Sequence, residues 1–207
     1  MTVGKRMLDI VLALLIGALA VVPFLVIVAI LLVKDGRPVF HVADRMKSPD
    51  QAFRLFKFRT MRVVQGDHGV SGGHKTDRIT PFGRILRRTR LDEIPQLWNI
   101  LKGDMSFVGP RPPLPSIVVR FPDIYAQVLQ SRPGVTGLAS LHYHAHEERL
   151  LAGCRSALET DQVYTRRCIP RKAHLDLIYQ RRRTLCLDIM IIGQTFGRVI
   201  LSRVFRR

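Results

Sequence analysis

The sequence of 207 residues contains few cysteines and few acidic side chains. Its three cysteines, Cys154, Cys168 and Cys186, are odd in number and form no C-x-x-C pair. Neither a disulfide framework nor a zinc–thiolate site is therefore expected, and the thiols should be reduced. Asp and Glu total 16 against 33 Lys and Arg, which gives a net charge of +17. No internal repeat is present, and the length allows one globular domain with an appendage.

Residues 10–33 contain no charged or hydrogen-bonding side chain. This run exceeds the roughly 20 residues needed to cross the core of a bilayer. It is also longer than the apolar region of a signal peptide, and no small-residue cleavage site follows it. We therefore predict a membrane-embedded helix within residues 1–36. The alternative is a helix fully buried in a protein core.

Pro23 lies in the middle of the apolar run, where it removes a helix hydrogen bond and predicts a kink. Lys5 and Arg6 precede the run, and Lys34 and Arg37 follow it. Basic residues mark the cytoplasmic side of a membrane segment. Because they flank both ends, we favour a re-entrant helix that bends near Pro23 and returns to the same face. A single span with a short N-terminal tail outside is the alternative.

The remainder, residues 37–207, predicts an α+β domain that is mostly helical. Aromatic and basic residues partly alternate over 53–61, which indicates a short strand, and residues 64–75 are interpreted as a mobile loop. Thr80 followed by Pro81 is typical of a helix start. Further helices are predicted at about 91–101, 117–129, 155–167 and 186–204. The last is basic and amphipathic, and is predicted to lie on the membrane surface.

The most informative local feature is an acidic pair, Asp92 and Glu93, in a strongly basic segment that includes Arg84, Arg87, Arg88 and Arg90. Asp92 is predicted to cap the helix over 91–101, so that the helix dipole favours ionised carboxylates and attracts an anionic substrate. Arginines bind phosphate oxygens in bidentate fashion. A carboxylate can attack phosphorus or hold a hard divalent cation. The segment therefore predicts chemistry on a phosphate, whereas a solvated helix start is the plain alternative.

Four cations are the candidates for contacts to substrate phosphate: Lys57, Arg59, Arg88 and Arg111. Each could instead face lipid headgroups or solvent, because the whole chain is basic. Arg111 is the strongest candidate, since the prolines on both sides restrict the loop that presents it.

Two further groups could bind a metal. Asp104 follows Gly103 and is interpreted either as a metal-site group or as a turn former. His142, His144 and His146 would share one face of a strand, which makes a metal site geometrically feasible. The histidines have no accompanying cysteines, and this argues against zinc.

The acidic pair lies within text that resembles the bacterial sugar transferase family, the monotopic polyprenyl-phosphate phosphoglycosyl transferases. The matching segments are KRMLD at residues 5–9, FKFRTM at 56–61, RRTRLDEIPQLWNILKGDMSFVGPRP at 87–112, RPGVTGL at 132–138 and LCLDI at 185–189. They cover nearly the whole chain in the family's order. Three places depart from it: residues 41–52, the histidine run after Ala139, and Val22 before Pro23 where the family commonly has Ser.

The resemblance implies a two-step transfer by a catalytic domain over residues 37–207. Asp92 would attack the sugar-bearing phosphate of a UDP-sugar, releasing UMP and leaving a phosphosugar on the enzyme. Polyprenyl (undecaprenyl) phosphate would then accept the phosphosugar. The family's cofactor is Mg²⁺, for which Glu93 is our predicted ligand, so Asp92 and Glu93 are the catalytic residues. The inverted assignment, with Glu93 as nucleophile and Asp92 on the metal, stays open.

We accordingly expect an enzyme at the cytoplasmic face of the bacterial inner membrane, in contact with membrane lipids, that starts a glycan such as an exopolysaccharide, O-antigen, capsule or glycoprotein glycan. Two alternatives remain: a non-catalytic membrane assembly factor of the same fold, and a membrane-tethered nucleic-acid-binding protein. We expect no nucleic acid, because the chain has no recognisable binding module and its aromatic residues do not form a stacking platform. The sequence does not name the sugar and leaves a homo-oligomer open.

Overall fold

The computed structural model describes residues 1–63 and 73–204, without the side chains of 73–75 and 199–204. Most of the loop predicted over 64–75 lies outside these residues, and Gly73–Arg78 forms a 3-10 helix. The helices are α1 (Val3–Lys34), α2 (Pro81–Thr89), α3 (Gln96–Lys102), α4 (Pro115–Arg120), α5 (Pro122–Val128), α6 (Leu138–Ala152), α7 (Ala157–Val163), α8 (Ile169–Arg182) and α9 (Leu185–Val204). The strands are β1 (Phe40–Met46), β2 (Ala52–Phe58), β3 (Ser106–Val108) and β4 (Gly134–Thr136). The predicted mostly helical α+β composition is confirmed.

The strands form two small sheets. β1 and β2 are an antiparallel hairpin in which Phe40 pairs with Phe58, so the strand predicted over 53–61 is confirmed as β2. Asn99 of α3 accepts from the backbone N–H of Phe56 and donates to the carbonyl of Arg54, at 3.2 and 2.8 Å. This fully buried amide satisfies backbone groups of β2 that β1 does not reach, and so fixes α3 beside the hairpin.

β3 and β4 form a parallel pair, and the core lies around β2, α3 and β3. Its buried side chains come from distant parts of the chain: Ala13, Phe53, Leu55, Ile100, Met105, Phe107, Val108, Tyr179 and Ile191. A second cluster fills the space between α4, α5 and α8. Helix α1 therefore contributes directly to the main core through Ala13.

Among the described helices, α1 alone is long and apolar enough to cross a membrane. It continues through Pro23 as one helix of 32 residues. Only four of its residues are buried: Asp9, Ala13, Ile27 and Leu31. Large apolar side chains such as Leu14, Leu19 and Val22 are exposed. The alternative of a fully buried core helix is therefore wrong.

The N-terminal end of α1 is joined to the domain by buried polar contacts. Lys5 donates to Asp188 at 2.6 Å, and the Tyr179 hydroxyl donates to the same carboxylate at 2.6 Å. Asp9 accepts from the Ser106 hydroxyl and from the backbone N–H of Phe107, both at 3.0 Å. These contacts join residues far apart in sequence. Because Lys5 and Asp9 are paired or hydrogen-bonded, their charges can lie inside this part of the fold.

The C-terminal end of α1 packs on the same domain. Phe24 contacts the rings of Phe40 and Phe58, with centroids 6.0 and 5.1 Å apart. Ile27 and Leu31 belong to a buried cluster with Phe58 and Leu86. Both ends of α1 are thus attached to one domain, while a kink at Pro23 stays a prediction.

Two of the other predicted helices are interrupted. The helix predicted over 117–129 is two helices, because Pro122 has no N–H to continue α4 and instead begins α5. The helix predicted over 155–167 begins at Ala157 and widens into a π-helical turn, Tyr164–Cys168, before α8. α9 has the predicted bounds within one residue, and its buried apolar side chain is Ile191.

Asp176 on α8 gives the stability of the protein an unusual pH dependence. Burial raises the pKa of Asp176 to about 7, although Lys172 opposes the shift. As the pH rises from about 4 to 7, the unfolded chain releases this proton while the folded protein keeps it, so stability falls. We expect Asp176→Asn to stabilise the protein by about 1–3 kcal/mol at pH 8 and much less at pH 4.

Thermal unfolding at both pH values measures this effect, and Asp123→Asn on the exposed first turn of α5 is the matched control. An equal gain at pH 4 and pH 8 would contradict a titrating Asp176.

Candidate functional site

The acidic pair lies in a 3-10 turn, Leu91–Glu93, between α2 and α3. The helix predicted over 91–101 is confirmed only from Gln96, as α3, and the prediction that Asp92 caps it is wrong. Arg90 adopts a left-handed conformation with φ 60° and ends α2, and α3 begins only at Gln96 after Pro95. Proline lacks the N–H that would extend a helix back toward Leu91. Burial and neighbouring charges, and not the dipole of a cap position, therefore act on the two carboxylates.

Glu93 is held by three cations. Its Oε1 accepts from Lys57 Nζ at 2.7 Å and from Arg111 Nη2 at 3.2 Å, and Arg90 lies at 3.6 Å. Burial alone would raise the pKa of Glu93, but Lys57, Arg111 and Arg90 outweigh it and hold the pKa well below its usual range. Glu93 is thus an ionised group with its charge already compensated.

Asp92 has a different environment from its neighbour. It is only 7% exposed, and its Oδ1 has no hydrogen-bond partner in the part of the chain that the structure describes. Burial raises the pKa of Asp92, and the Glu93 charge adds to the rise, while Lys57, Arg87 and Arg90 oppose it. A buried carboxylate oxygen without a donor is more basic than a solvated one and is open to a reaction partner.

The loop that carries Arg111 is fixed by very close backbone packing. Gly109 donates to the Thr136 carbonyl and Gly134 donates to the Pro110 carbonyl, both at 2.9 Å. A Cβ at Gly134 would lie 2.2 Å from the Gly109 nitrogen, so only glycine allows the approach. The two glycine- and proline-rich segments therefore act together to place Arg111 on Glu93.

The four predicted phosphate-binding cations divide into two groups. The structure brings Lys57 and Arg111 to the acidic pair. Arg59 instead donates to the carbonyls of Asp35, Gly36 and Arg37 at the end of α1, and Arg88 is exposed on α2. Among the described contacts, none joins Arg59 or Arg88 to Asp92 or Glu93. Their role toward a phosphate stays a prediction.

Sequence reasoning did not select Arg87, whose Nε donates to the Thr60 hydroxyl at 2.8 Å and whose charge acts on Asp92. A signal was present. Gly83 lies one helical turn before Arg87, and a Cβ there would come within 2.2 Å of the Thr60 carbonyl. A glycine required by such an approach marks the helix face that meets the segment after β2, and Arg87 lies on that face.

The three histidines lie on α6 and not on a strand, so the predicted shared face is wrong. A helix turns 100° per residue, which places His144 away from His142 and His146. His144 Nε2 lies 3.3 Å from Glu148. Burial lowers the pKa of His144 to about 3, and Arg90 and Arg111 contribute, so this imidazole is neutral and near the acidic pair. The described residues contain no group of three metal-ligating side chains.

The acidic pair has the composition of a magnesium site completed by substrate. Mg²⁺ commonly takes one or two carboxylates together with phosphate oxygens and water. The free Oδ1 of Asp92 and the adjacent Glu93 carboxylate fit that set. Asp104, the other carboxylate considered for a metal site, forms ion pairs with Lys47 at 3.1 Å and with Lys102 at 3.6 Å. Glu93 as the magnesium ligand stays a prediction. Its Oε1 is already in contact with three cations.

Comparison with known proteins identifies the family and several relatives. The family model described as bacterial sugar transferase matches residues 1–202. An undecaprenyl-phosphate glucose phosphotransferase of Komagataeibacter xylinus is 35% identical over 96% of this chain. The galactosyl transferase CpsE of Streptococcus agalactiae is 38% identical over 97% of it, and the uncharacterized sugar transferase EpsL of Bacillus subtilis is 31% identical over 96%.

The relatives differ in length. This chain spans 36% of the Komagataeibacter protein and 43% of the Streptococcus protein, but 88% of the Bacillus protein. The matched part includes both the long apolar helix and the acidic pair in each case where nearly the whole of this chain is covered.

Proposed function

Because this chain belongs to the bacterial sugar transferase family, we propose that it transfers a sugar phosphate from a UDP-sugar to polyprenyl phosphate. The observation that carries this proposal is the unequal pair of buried carboxylates. Glu93 is bound by Lys57 and Arg111, whereas Asp92 keeps an oxygen without a partner among the described residues. Such a pair provides one poised nucleophile beside a compensated anion, in a site where cations can bind phosphate.

In the first step, an oxygen of Asp92 attacks the sugar-bearing phosphorus of the donor. The bond from this phosphorus to the bridging oxygen breaks, and its electron pair leaves with UMP. An acyl phosphate then links Asp92 to the phosphosugar. Lys57, Arg87, Arg90 and Arg111 provide charge-assisted donors around the transferred group.

In the second step, an oxygen of polyprenyl phosphate attacks the same phosphorus and the bond to Asp92 breaks. The products are a polyprenyl-diphosphate sugar and the regenerated carboxylate. No proton has to move in either step, because each attacking group is already an anion. A neutral His144 beside the cations fits this chemistry, since it adds no charge.

Magnesium held by Glu93 and by donor phosphates would reduce the repulsion between the attacking anion and the diphosphate. We propose Glu93 as its protein ligand, with Asp92 free to react. The inverted assignment is less favoured, because Lys57 and Arg111 bind Oε1 of Glu93 and lower the basicity of its carboxylate.

We further propose that α1 enters the cytoplasmic leaflet of a bacterial inner membrane and returns to the same face. Lys5 and Asp9 near one end and Phe24 and Leu31 near the other contact the same domain. A helix that crossed a bilayer would carry its ends to opposite sides. The exposed apolar face of α1 would lie among lipid chains, and the acidic pair would then lie near the headgroups.

Cysteine labelling tests this arrangement. In a background without the native cysteines, we expect Thr2→Cys and Gly36→Cys both to resist a membrane-impermeant maleimide added to intact spheroplasts, and both to react after lysis. Labelling of Thr2→Cys alone in intact spheroplasts would indicate the spanning alternative.

The activity itself is tested with purified protein, magnesium, undecaprenyl phosphate and a panel of UDP-sugars, with UMP release as the readout. We expect release with at least one donor and its loss on chelation of the metal. A correctly folded preparation that releases no UMP with any donor would favour the non-catalytic alternative.

A further inference from the structure

Helix α6 begins directly on the loop that presents Arg111. Its N-terminal flanking residue, Gly137, has no room for a Cβ, because the Gly109 carbonyl occupies that position. Leu141 donates its N–H to the Gly137 carbonyl at 2.8 Å, so α6 is fixed to this loop from its first turn. His144 follows Gly137 by seven residues, or two helical turns, and therefore lies on the same face of α6, about 10 Å along the axis.

Three polar side chains of α6, His144, Glu147 and Glu148, interact with cations of the candidate site. The charge of Arg111 acts on His144 and on Glu147. The charge of Glu148 acts on Arg87. Because interactions between charges are largely screened beyond about 10 Å, these three side chains lie beside the site cations. They are called the α6 wall.

The members of the α6 wall differ in what they leave available to a ligand. Glu147 is held by Lys172 at 2.9 Å, and both side chains are mostly buried. The Glu148 side chain is 68% exposed and that of His144 is 35% exposed, with His144 Nε2 3.3 Å from the Glu148 carboxylate. His144 and Glu148 are therefore the accessible part of the wall, and Glu147 supports it from behind.

The neutral imidazole of His144 sets the hydrogen-bonding character of the wall. Because a carboxylate only accepts, the imidazole holds its proton on Nε2 and donates it to Glu148, which leaves Nδ1 as an acceptor. Nδ1 and the second oxygen of Glu148 thus both require donors. Sugar hydroxyls and N-acetyl amides provide such donors, whereas an ionised phosphate or carboxylate does not. The wall therefore suits an uncharged sugar.

We propose that His144 and Glu148 bind the sugar ring of the UDP-sugar donor, a neutral hexose or N-acetylhexosamine, and determine which sugar is accepted. This inference rests on the proposed function and specifies its donor. The sugar is joined through one oxygen to the phosphorus that Asp92 attacks, so it must lie beside the acidic pair. The uracil lies beyond a second phosphate and a ribose. Side chains next to the site cations are therefore placed for the sugar and not for the base.

Donor selectivity tests this subsite. His144→Phe removes the acceptor nitrogen, and Glu148→Gln replaces an acceptor with an amide of the same size. His142→Phe, on an exposed position of another face of α6, is the matched control. With UDP-glucose, UDP-galactose and their N-acetyl forms, we expect the kcat/KM ratio of the best to the second-best donor to change about tenfold in both wall variants, the scale of a hydrogen bond to a substrate hydroxyl. The control ratio should stay within about twofold.

The ratio separates sugar recognition from damage to the fold or to a nucleotide contact, which would lower kcat/KM equally for every donor. Affinity for UMP, which lacks the transferred sugar, should be unchanged in both wall variants by titration calorimetry, and UDP-glucuronate should be a poor donor for the unaltered protein. An unchanged ratio in both wall variants, or UDP-glucuronate used as well as the best neutral donor, would overturn the sugar subsite alone. No UMP release by the unaltered protein with any donor would instead overturn the proposed function.

Discussion

Asp92→Asn is expected to abolish UMP release, with a loss of roughly 10⁴-fold or more, as is typical when a covalent nucleophile is removed. Asparagine has nearly the same shape, so the 3-10 turn and the contacts of Glu93 should persist. Its amide cannot attack phosphorus, because it carries no negative charge and its nitrogen lone pair is delocalised. The loss should therefore appear in kcat and in the burst without acceptor, and not as a failure to fold.

Asp123→Asn is the matched control, because Asp123 is exposed on α5 and far in sequence from the turn. It should leave UMP release within about twofold of the unaltered protein, as expected for a surface change. Full turnover by Asp92→Asn, with a normal thermal unfolding curve, would exclude Asp92 as the nucleophile and favour the inverted assignment to Glu93.

The second large effect is expected for Lys57→Met. Lys57 donates to Glu93 at 2.7 Å and is the largest charge that lowers the pKa of Asp92. Its removal leaves Glu93 with two arginines and raises the pKa of Asp92 further. We expect kcat/KM to fall by about 10²–10³-fold, the scale for one preorganised electrostatic contact.

The pH profile gives the Lys57 prediction a sign. Asp92 must be ionised to attack, so a higher pKa moves the acidic limb of activity to higher pH. Raising the pH should restore part of the activity of Lys57→Met. Lys57→Arg keeps the charge and should recover more activity than Met, and Lys102→Met, an exposed lysine on α3, should be near normal. A uniform loss at all pH values would contradict the charge effect on Asp92.

The two carboxylates of the pair differ because of their neighbours and not because of their sequence position. Adjacent residues in a 3-10 turn point in different directions, and Glu93 reaches Lys57 and Arg111 with one more methylene than Asp92 has. The cations that compensate Glu93 lie on β2 and on the loop after β3, so the fold assembles the site from three distant segments.

Part of this arrangement could be predicted from the sequence. Local signals were sufficient for β2 and for α2, where the Thr80 hydroxyl accepts from the Gly83 N–H at 3.0 Å as a helix cap. Lys57 and Arg111, two of the predicted phosphate contacts, lie against Glu93, and their role toward a phosphate stays a prediction. The selection of Arg111 had a physical reason, because prolines and glycines that restrict a loop also fix the direction of the side chain it presents.

The remaining features depend on contacts that a linear pattern does not contain. The periodic apolar residues after Leu91 predict a helix, but Arg90 turns left-handed and Pro95 cannot donate, so α3 starts late. Arg59 has the same local setting as Lys57, yet it binds carbonyls at the end of α1. The alternation of His142, His144 and His146 suggests a strand, while tertiary packing makes a helix.

The central claim is that Asp92 carries the phosphosugar between the two substrates. The most direct test is acid-quenched mass spectrometry of the protein incubated with a turned-over UDP-sugar and no acceptor, followed by peptide mapping. We predict a mass increase equal to the sugar phosphate ester on the peptide that contains Asp92, discharged when undecaprenyl phosphate is added. Turnover without any adduct, or an adduct on Glu93, would contradict this claim.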